Sequence, residues 1–251
     1  MYVLRQFGSH IIKFIRAQIF LFQFLGHLSQ TLKNMLLGRL QIRWSNLIEV
    51  IYFSGARLVI PLVIITALIS IALAQTVYVI LSPYNLQKQM LPIAQTVLTR
   101  EILPVFIGFI LCIQTALSLI NTRAQKEKQS SEGAITEHVL PIIIGITITS
   151  LRLYAYSIGV LIMSFYCIFH YKLSLSTYEF IGHLLSETTR YDLIFSAFKT
   201  FLLSVIVGIV TGYYYYEAAL KNTTLRKAVS RTITRGSFWL IFTSLYMTFL
   251  L

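Results

Sequence analysis

Charged residues are scarce in this chain, and acidic residues are scarcer than basic ones. Only 12% of its 251 residues are charged, with 9 Asp and Glu against 21 Lys and Arg. Soluble globular domains average roughly 25% charged residues. With 56% hydrophobic residues, 17 Phe and 15 Tyr, the composition is that of an integral membrane protein. The net charge of +12 does not indicate nucleic acid, because the sequence has no basic helix or aromatic platform that would bind it.

Motifs of soluble enzymes and nucleotide-binding proteins are absent as well. The sequence contains no G-x-x-x-x-G-K-[ST] phosphate loop, no H-E-x-x-H, no C-x-x-C and no G-x-S-x-G. Its two cysteines, Cys112 and Cys167, lie within apolar runs, which predicts small core residues rather than a disulfide or a metal pair. The five histidines are scattered. We therefore expect no catalytic residue, no metal site and no cofactor in this chain, and an intramembrane enzyme is disfavoured.

Long apolar runs predict an all-α integral membrane protein with five transmembrane helices. A span needs about 20 predominantly apolar residues. The predicted spans are about 58–81, 102–120, 151–169, 193–216 and 232–251. Together they form one membrane domain, 57–251, with a polar segment at 121–138 between the second and third spans.

The third span is the hardest of the five to place. Its apolar run, from Val139 to Phe169, is longer than one straight span needs, and Arg152 interrupts it. Because a lone arginine at mid-bilayer is costly, we expect a separate interfacial helix over Leu140–Thr149 and a span that begins at 151, with Arg152 at its mouth. A single tilted span over the whole run is the alternative.

The N-terminal region, 1–56, has a different pattern. Residues 1–28 place Lys13, Arg16 and Gln23 on one helical face and apolar residues on another, which predicts an amphipathic helix lying in the membrane interface. A signal peptide is the rival interpretation, but Lys13 and Arg16 interrupt its apolar stretch and no small-x-small cleavage site follows Leu25. Residues 29–56 predict an elbow along the membrane surface, with Trp44 at headgroup level.

Basic residues are unevenly distributed between the two sides that five spans would create. Of the 21 Lys and Arg, sixteen fall on the side of the N-terminus and four on the other, and Lys199 lies within the fourth span. Because cytoplasmic loops carry the excess of Lys and Arg, this predicts a cytoplasmic N-terminus and an external C-terminus.

Ionisable residues near membrane depth are the candidate functional residues. Glu101 follows Arg100 at the outer mouth of the second span. It is either a charge that orients an outer gate or docks a partner, or an interfacial carboxylate paired locally. Lys199 lies about two turns into the fourth span. It could face an internal cavity and attract anionic headgroups, but snorkelling along its own stem is slightly favoured.

Two further groups of charged residues are predicted at the cytoplasmic side. Arg152, Arg231 and Arg235 are expected at the cytoplasmic surface, where they contact anionic lipid or dock a cytoplasmic subunit. The polar segment 121–138 is the better docking candidate, because it is larger than a tight connection between two spans needs.

Several short motifs resemble the MlaE/YrbE family of ABC-transporter permeases, which act in bacterial lipid transport with MCE proteins. The family's L-R-E-L-G-P is similar to Thr99-Arg100-Glu101-Ile102-Leu103-Pro104, and its Pro-Arg has its place at Leu151-Arg152. Its D-L-(x)n-K-S opening is matched by Asp192-Leu193 and Lys199-Thr200, and its T-T-R segment resembles Arg231-Thr232-Ile233-Thr234-Arg235. The resemblance covers about residues 50–251, and the N-terminal interfacial helix also fits it.

One segment departs from the family pattern. After the second span the family has G-R-x-G and then E-L-G-x-M, in the segment that couples to the ATPase. Here those places hold approximately Cys112-Ile113-Gln114-Thr115 and Asn121-Thr122-Arg123. The departure implies either an ATPase partner that has diverged together with this chain or a degenerate subunit that pairs with a more typical permease.

The resemblance implies a permease subunit that moves phospholipid or a similar lipid between the inner membrane and the periplasm or outer membrane. It implies a cytoplasmic ATPase that binds ATP and Mg²⁺, a periplasmic MCE protein, and a second permease copy in a homodimer or heterodimer. Glu101 and Lys199 are then assigned to the lipid path, and Arg123, Lys126, Glu127 and Lys128 to the ATPase contact. The chain is expected in the bacterial inner membrane with its C-terminus in the periplasm. The alternative is a non-transporting structural subunit of a membrane complex.

Overall fold

Nearly all of the residues that the computed structural model describes are helical, the exceptions being Leu37, Gly38 and Ser176. The described residues are 2–38, 48, 51–52, 57–84, 90–125, 132–173, 176–187, 190–220 and 225–250. The main helices are α1 Tyr2–Leu36, α2 Arg57–Leu81, α3 Met90–Thr96, α4 Leu103–Gln125, α5 Glu132–Leu173, α6 Thr177–Glu187, α7 Arg190–Leu220 and α8 Leu225–Leu250. A short 3₁₀ helix, Ser82–Tyr84, follows α2, and a π-helix, Val97–Ile102, joins α3 to α4.

Four helical segments of the described residues are long and apolar enough to cross a membrane. They are Leu58–Tyr84, Ile93–Leu117, Val139–Lys172 and Tyr191–Ala218. The all-α membrane class is therefore confirmed. The predicted fifth span corresponds to α8, whose first half carries Arg226, Lys227, Arg231 and Arg235. Its apolar part, from Gly236 to Leu250, is shorter than the roughly 20 residues of a full span, so the five-span count stays a prediction.

The segment from Val139 to Phe169 forms one uninterrupted helix. α5 runs from Glu132 to Leu173 without a break at Thr149 or Arg152, and Pro141 lies within it. The predicted separate helix over Leu140–Thr149 is therefore wrong, and the single long helix that was the alternative is what forms. The limits of the membrane along α5 stay a prediction.

Two glycines let α5 and α7 pack closely. Gly208 and Gly212 are four residues apart on α7, the small-xxx-small spacing that brings membrane helices together. A Cβ added at Gly208 would lie 3.2 Å from the Cα of Ile143, and one at Gly212 would overlap Val139. Val139 and Ile143 follow each other along α5, and the residues that they face on α7, Gly212 and Gly208, run in the opposite order. The two helices are therefore antiparallel.

Small residues also form the contacts of α4 with α8. A Cβ at Gly108 would come within 2.9 Å of the Leu240 side chain, and one at Gly236 within 2.5 Å of the Cys112 sulfur. Cys112 Sγ lies 3.7 Å from the Thr232 carbonyl oxygen. Cys112 is thus a buried core residue, as predicted, and it occupies one of the positions that depart from the family pattern. Cys167 is exposed, so the same prediction is wrong for it.

Helix α1 packs on the bundle at the end where α7 finishes. Phe24 is fully buried, and its ring centroid lies 5.8 Å from that of Tyr213 and 5.5 Å from that of Tyr216. Ile19 and Phe22 are exposed on another face of α1. The interfacial position of this helix stays a prediction, and Trp44 of the predicted elbow lies outside the described residues.

Candidate functional site

The site begins where the second span is locally widened into a π-helix. Pro104 has no backbone N–H, so it cannot donate to the carbonyl oxygen of Arg100 as a regular α-helical residue would. In the turn before it, the Leu103 N–H donates to the Leu98 carbonyl five residues earlier. Short π-helical stretches are frequent at functional sites. Here the stretch carries both Arg100 and Glu101.

Lys199 is fully buried and makes direct contacts with two other elements. Its Nζ donates to Glu101 Oε2 at 2.6 Å and to Thr248 Oγ1 at 3.0 Å. The Thr248 hydroxyl lies 2.7 Å from the same Glu101 oxygen and 3.0 Å from the Ser244 carbonyl. The lysine of α7 therefore joins the π-helix to the last turns of α8.

The cluster is closed on the lysine side and open on the carboxylate side. The side chain of Lys199 is 0% exposed, whereas that of Glu101 is 34% exposed. A buried ammonium needs a compensating anion, and removing the partner of a buried pair is strongly destabilising. Glu101 is therefore the point at which another molecule could compete for the lysine.

Arg100 extends the cluster to the beginning of α7. Its guanidinium nitrogens lie 3.9 Å from Glu101 Oε1 and 3.8 Å from Asp192 Oδ1. The guanidinium carbon lies 4.8 Å from the centre of the Phe195 ring. Both ion-pair distances are long for a charge-assisted hydrogen bond, so Arg100 is held more loosely than Lys199. The four charges alternate in sign and sum to zero.

The structure brings together Glu101 and Lys199, the two residues predicted on the lipid path. Of the two interpretations of Lys199, the inward one agrees with the structure and snorkelling does not. Glu101 is paired locally, as one of its two interpretations expected. Their predicted roles as gate and headgroup residues stay predictions.

Most of the residues predicted to contact the ATPase lie outside the described part of the chain. Arg123 belongs to the last turns of α4. Lys126, Glu127 and Lys128 lie outside the described residues. The segment 121–138 thus stays a prediction as a coupling site.

Arg231 and Arg235 lie at the opposite end of the bundle from the Lys199 cluster. Arg231 Nη1 lies 3.4 Å from Glu217 Oε1, and the Arg235 guanidinium lies 5.8 Å from the centre of the Tyr214 ring. Both arginines are thus near the C-terminal end of α7. Whether this end faces the cytoplasm stays a prediction.

Arg152 does not lie with these two arginines, contrary to the sequence expectation. It follows Val139, which faces Gly212, by thirteen residues along the unbroken α5. That separation is about 20 Å at 1.5 Å per residue. The expectation depended on a helix break before Arg152, and that break does not exist.

Sequence reasoning missed Thr248 and the role of Asp192 as a partner of Arg100. Thr248 follows Ser244 by four residues, so both hydroxyls lie on one face of α8. Two hydroxyl residues at this spacing within an apolar run are the sequence signal that could have identified Thr248. Nothing in the sequence, however, indicates which helix this face contacts.

The arrangement suits the binding of an anionic group rather than catalysis. An ammonium offers three donors, and here it donates two hydrogen bonds, one to the π-helix and one to α8. Within the described part of the chain, no group of three or more His, Cys, Asp and Glu side chains could hold a metal ion.

Comparison with models of known protein families gives a match to the second half of the chain. The family model described as Permease MlaE matches residues 133–250. The matched region contains Asp192, Lys199 and Thr248, whereas Arg100 and Glu101 precede it. No curated protein matches the chain.

Proposed function

Because the Permease MlaE family model matches residues 133–250, we propose that the chain is a member of this family and the membrane subunit of an ABC-type transporter that moves phospholipid or a similar lipid. Permeases of this family are membrane subunits of transporters rather than enzymes. The proposal places the chain in the inner membrane of a bacterium, with the N-terminus in the cytoplasm and the C-terminus in the periplasm. The lipid would pass between that membrane and the periplasm or outer membrane.

The buried Lys199 with its partly exposed partner, Glu101, is the observation that carries the lipid proposal. A cation at this depth is costly unless it is paired, and Lys199 is the charged side chain that is fully buried among the described residues. A phospholipid headgroup brings a phosphate, which a lysine binds as a point charge. The cluster can therefore accept a phosphate in place of the Glu101 carboxylate.

In the proposed mechanism, Lys199 exchanges one anion for another. Without lipid, Glu101 and Thr248 hold the ammonium in the position that the structure describes. When a headgroup enters from the exposed side of Glu101, its phosphate takes over the ammonium. Glu101 is then repelled by the phosphate and turns toward Arg100, which already lies 3.9 Å away. Reversal of this exchange would release the lipid.

The proposed partners are a cytoplasmic ATPase, a periplasmic MCE protein and a second permease copy. The ATPase, which would bind ATP and Mg²⁺, is expected to contact Arg123, Lys126, Glu127 and Lys128. Co-purification of an ATPase that is lost when residues 121–138 are replaced by a Gly/Ser linker would support this contact.

The decisive experiment is ATP-dependent transfer of a fluorescent phospholipid from proteoliposomes that contain the assembled complex. We expect the Lys199→Met variant to lower the transfer rate by about tenfold or more, the range for losing a hydrogen bond to a charged group. Thr200→Val is the matched control, because Thr200 is equally buried on α7 and its hydroxyl donates only within that helix, to the Ser196 carbonyl.

The possible results separate the alternatives. An assembled wild-type complex that moves no lipid would overturn the transport proposal and favour a structural subunit. Normal transfer by the Lys199→Met variant would retain transport but exclude the exchange mechanism.

A further inference from the structure

The outer face of α5 carries an exposed stripe at helical spacing. Its members are Ile148, Arg152, Ala155, Tyr156, Gly159, Met163 and Cys167. Residues three, four or seven apart share a helix face, so this stripe is continuous. It faces away from α7, which packs against Val139, Ile143 and Tyr154.

Arg152 lies on this stripe at the level of Lys199. Val139 faces Gly212, and the thirteen residues from Val139 to Arg152 equal the thirteen from Gly212 to Lys199 in the antiparallel helix. Tyr154 agrees with this register, because its hydroxyl lies 3.2 Å from the Leu193 carbonyl. Lys199 is eight residues into the apolar segment that begins at Tyr191, or about 12 Å. Arg152 is therefore exposed well inside the apolar part of the bundle.

The described part of the chain offers Arg152 a neutral partner and no anion. One guanidinium nitrogen lies 3.4 Å from the Tyr156 hydroxyl, and the guanidinium carbon lies 5.6 Å from the centre of that ring. The four membrane-spanning segments contain three carboxylates, Glu101, Asp192 and Glu217, and each is paired with a different basic residue. Since an arginine at this depth is costly unless it is paired, an anion from outside the described chain would stabilise it.

Beside Arg152, the stripe is shaped for close approach of another helix. Ala155 and Gly159 are four residues apart, and a Cβ added at Gly159 would meet nothing within 4 Å. This is the spacing that Gly208 and Gly212 use inside the bundle, but here the space is empty. Small residues at this spacing let a second helix come near enough to pack backbone against backbone.

We propose that the α5 stripe is the docking surface for one transmembrane helix of a partner protein, and that this helix carries an Asp or Glu that pairs with Arg152. Charge complementarity with Arg152 at membrane depth indicates a carboxylate on the partner. The small residues Ala155 and Gly159 indicate a helix that packs closely against α5. A second copy of this chain fits poorly, because a two-fold contact centred here would place two Arg152 side chains together. A lipid chain would not need small residues at this spacing. This proposal is independent of the lipid-transport proposal.

The test measures association of the full-length chain with synthetic single-span peptides in phosphatidylcholine vesicles, by fluorescence energy transfer. The peptides are Leu/Ala helices of about 22 residues with Asp, Asn or Leu about one third of the way along. We expect the Asp peptide to associate on the order of tenfold more tightly than the Leu peptide. Arg152→Ala should abolish this preference, Arg152→Lys should keep part of it, and Gly159→Leu should weaken binding of every peptide.

Several results would overturn the proposal. One is equal association of the three peptides, and another is a preference for Asp that survives Arg152→Ala. Disulfide-linked dimers through the exposed Cys167, formed in the wild type and lost in Gly159→Leu, would assign the stripe to a second copy. Energy transfer to labelled anionic lipid that requires Arg152, without any response to the peptides, would assign it to lipid headgroups. Thermal unfolding of each variant in detergent that matches the wild type shows that the fold is retained. The control for Gly159→Leu is Gly26→Leu on α1, where an added side chain also meets open space.

Discussion

Lys199 and Arg152 are two cations at one level of the helix bundle, and their surroundings are opposite. Lys199 is fully buried, with Glu101 and Thr248 as partners from two other elements. Arg152 is exposed on the far side of α5, where the described residues give it only the neutral Tyr156. The chain thus satisfies the first cation by itself and leaves the second for a molecule outside it. Removing the anion of Lys199 should weaken this chain, whereas removing Arg152 should weaken an assembly.

The largest effect is expected when Lys199 keeps its charge and loses its anion. Glu101→Gln preserves the shape of the side chain but leaves a buried ammonium uncompensated. We expect the free energy of unfolding to fall by about 3 kcal/mol, at the low end for a broken buried pair because the Glu101 side chain is 34% exposed. Reversible unfolding in mixed detergent micelles, followed by Trp fluorescence, would measure it.

A double variant shows whether this loss belongs to the pair. Combining Glu101→Gln with Lys199→Met removes both charges, and most of the lost stability should return, because a buried pair can often be replaced by neutral groups at little cost. A double variant as unstable as the sum of its single changes would contradict the assignment of Lys199 as internally paired.

The same contrast between the interior and the open face should appear at two glycines. Gly212 on α7 has Val139 of α5 against it, whereas Gly159 on α5 has open space. Gly212→Ala should reduce the free energy of unfolding by about 1–3 kcal/mol through overpacking. Gly159→Ala should raise it by about 0.5–1 kcal/mol, since alanine is the better helix former. Thermal unfolding of the two variants side by side would check this, and equal effects would mean that the two faces are not different.

The sequence was sufficient to select Lys199 and Glu101 as functional candidates. Ionisable residues are rare within apolar runs because they are costly there, so the pattern itself points to them. The pairing was not predictable, because it depends on the π-helix before Pro104 and on which face of α8 lies beside α7. The position of α8 is a result of packing between residues about 50 to 150 positions apart, such as Glu101 and Thr248. Such contacts leave no periodic signal in the sequence.

Arg152 was selected by the same rule, and there the rule gave the wrong structure. The cost of an exposed arginine within the membrane favoured a helix break that would move Arg152 to the surface. α5 has no such break. A break is required only if Arg152 is solvated by water or paired within this chain, and a partner's carboxylate would remove that requirement. The failed prediction and the proposed docking surface therefore have one physical origin.

The smallest effect on the chain itself is expected from Arg152→Leu. In the isolated protein this change removes a cation whose contact is a hydrogen bond to Tyr156, 3.4 Å long and exposed. It adds an apolar side chain to an apolar surface. We expect the free energy of unfolding to stay within about 1 kcal/mol of the wild type or to rise, as replacement of a costly membrane charge allows. Reversible unfolding under the conditions used for Glu101→Gln gives the comparison directly. If Arg152→Leu instead destabilised the isolated chain as much as Glu101→Gln, Arg152 would have an anion within the chain, and an external partner would no longer be needed to explain its position.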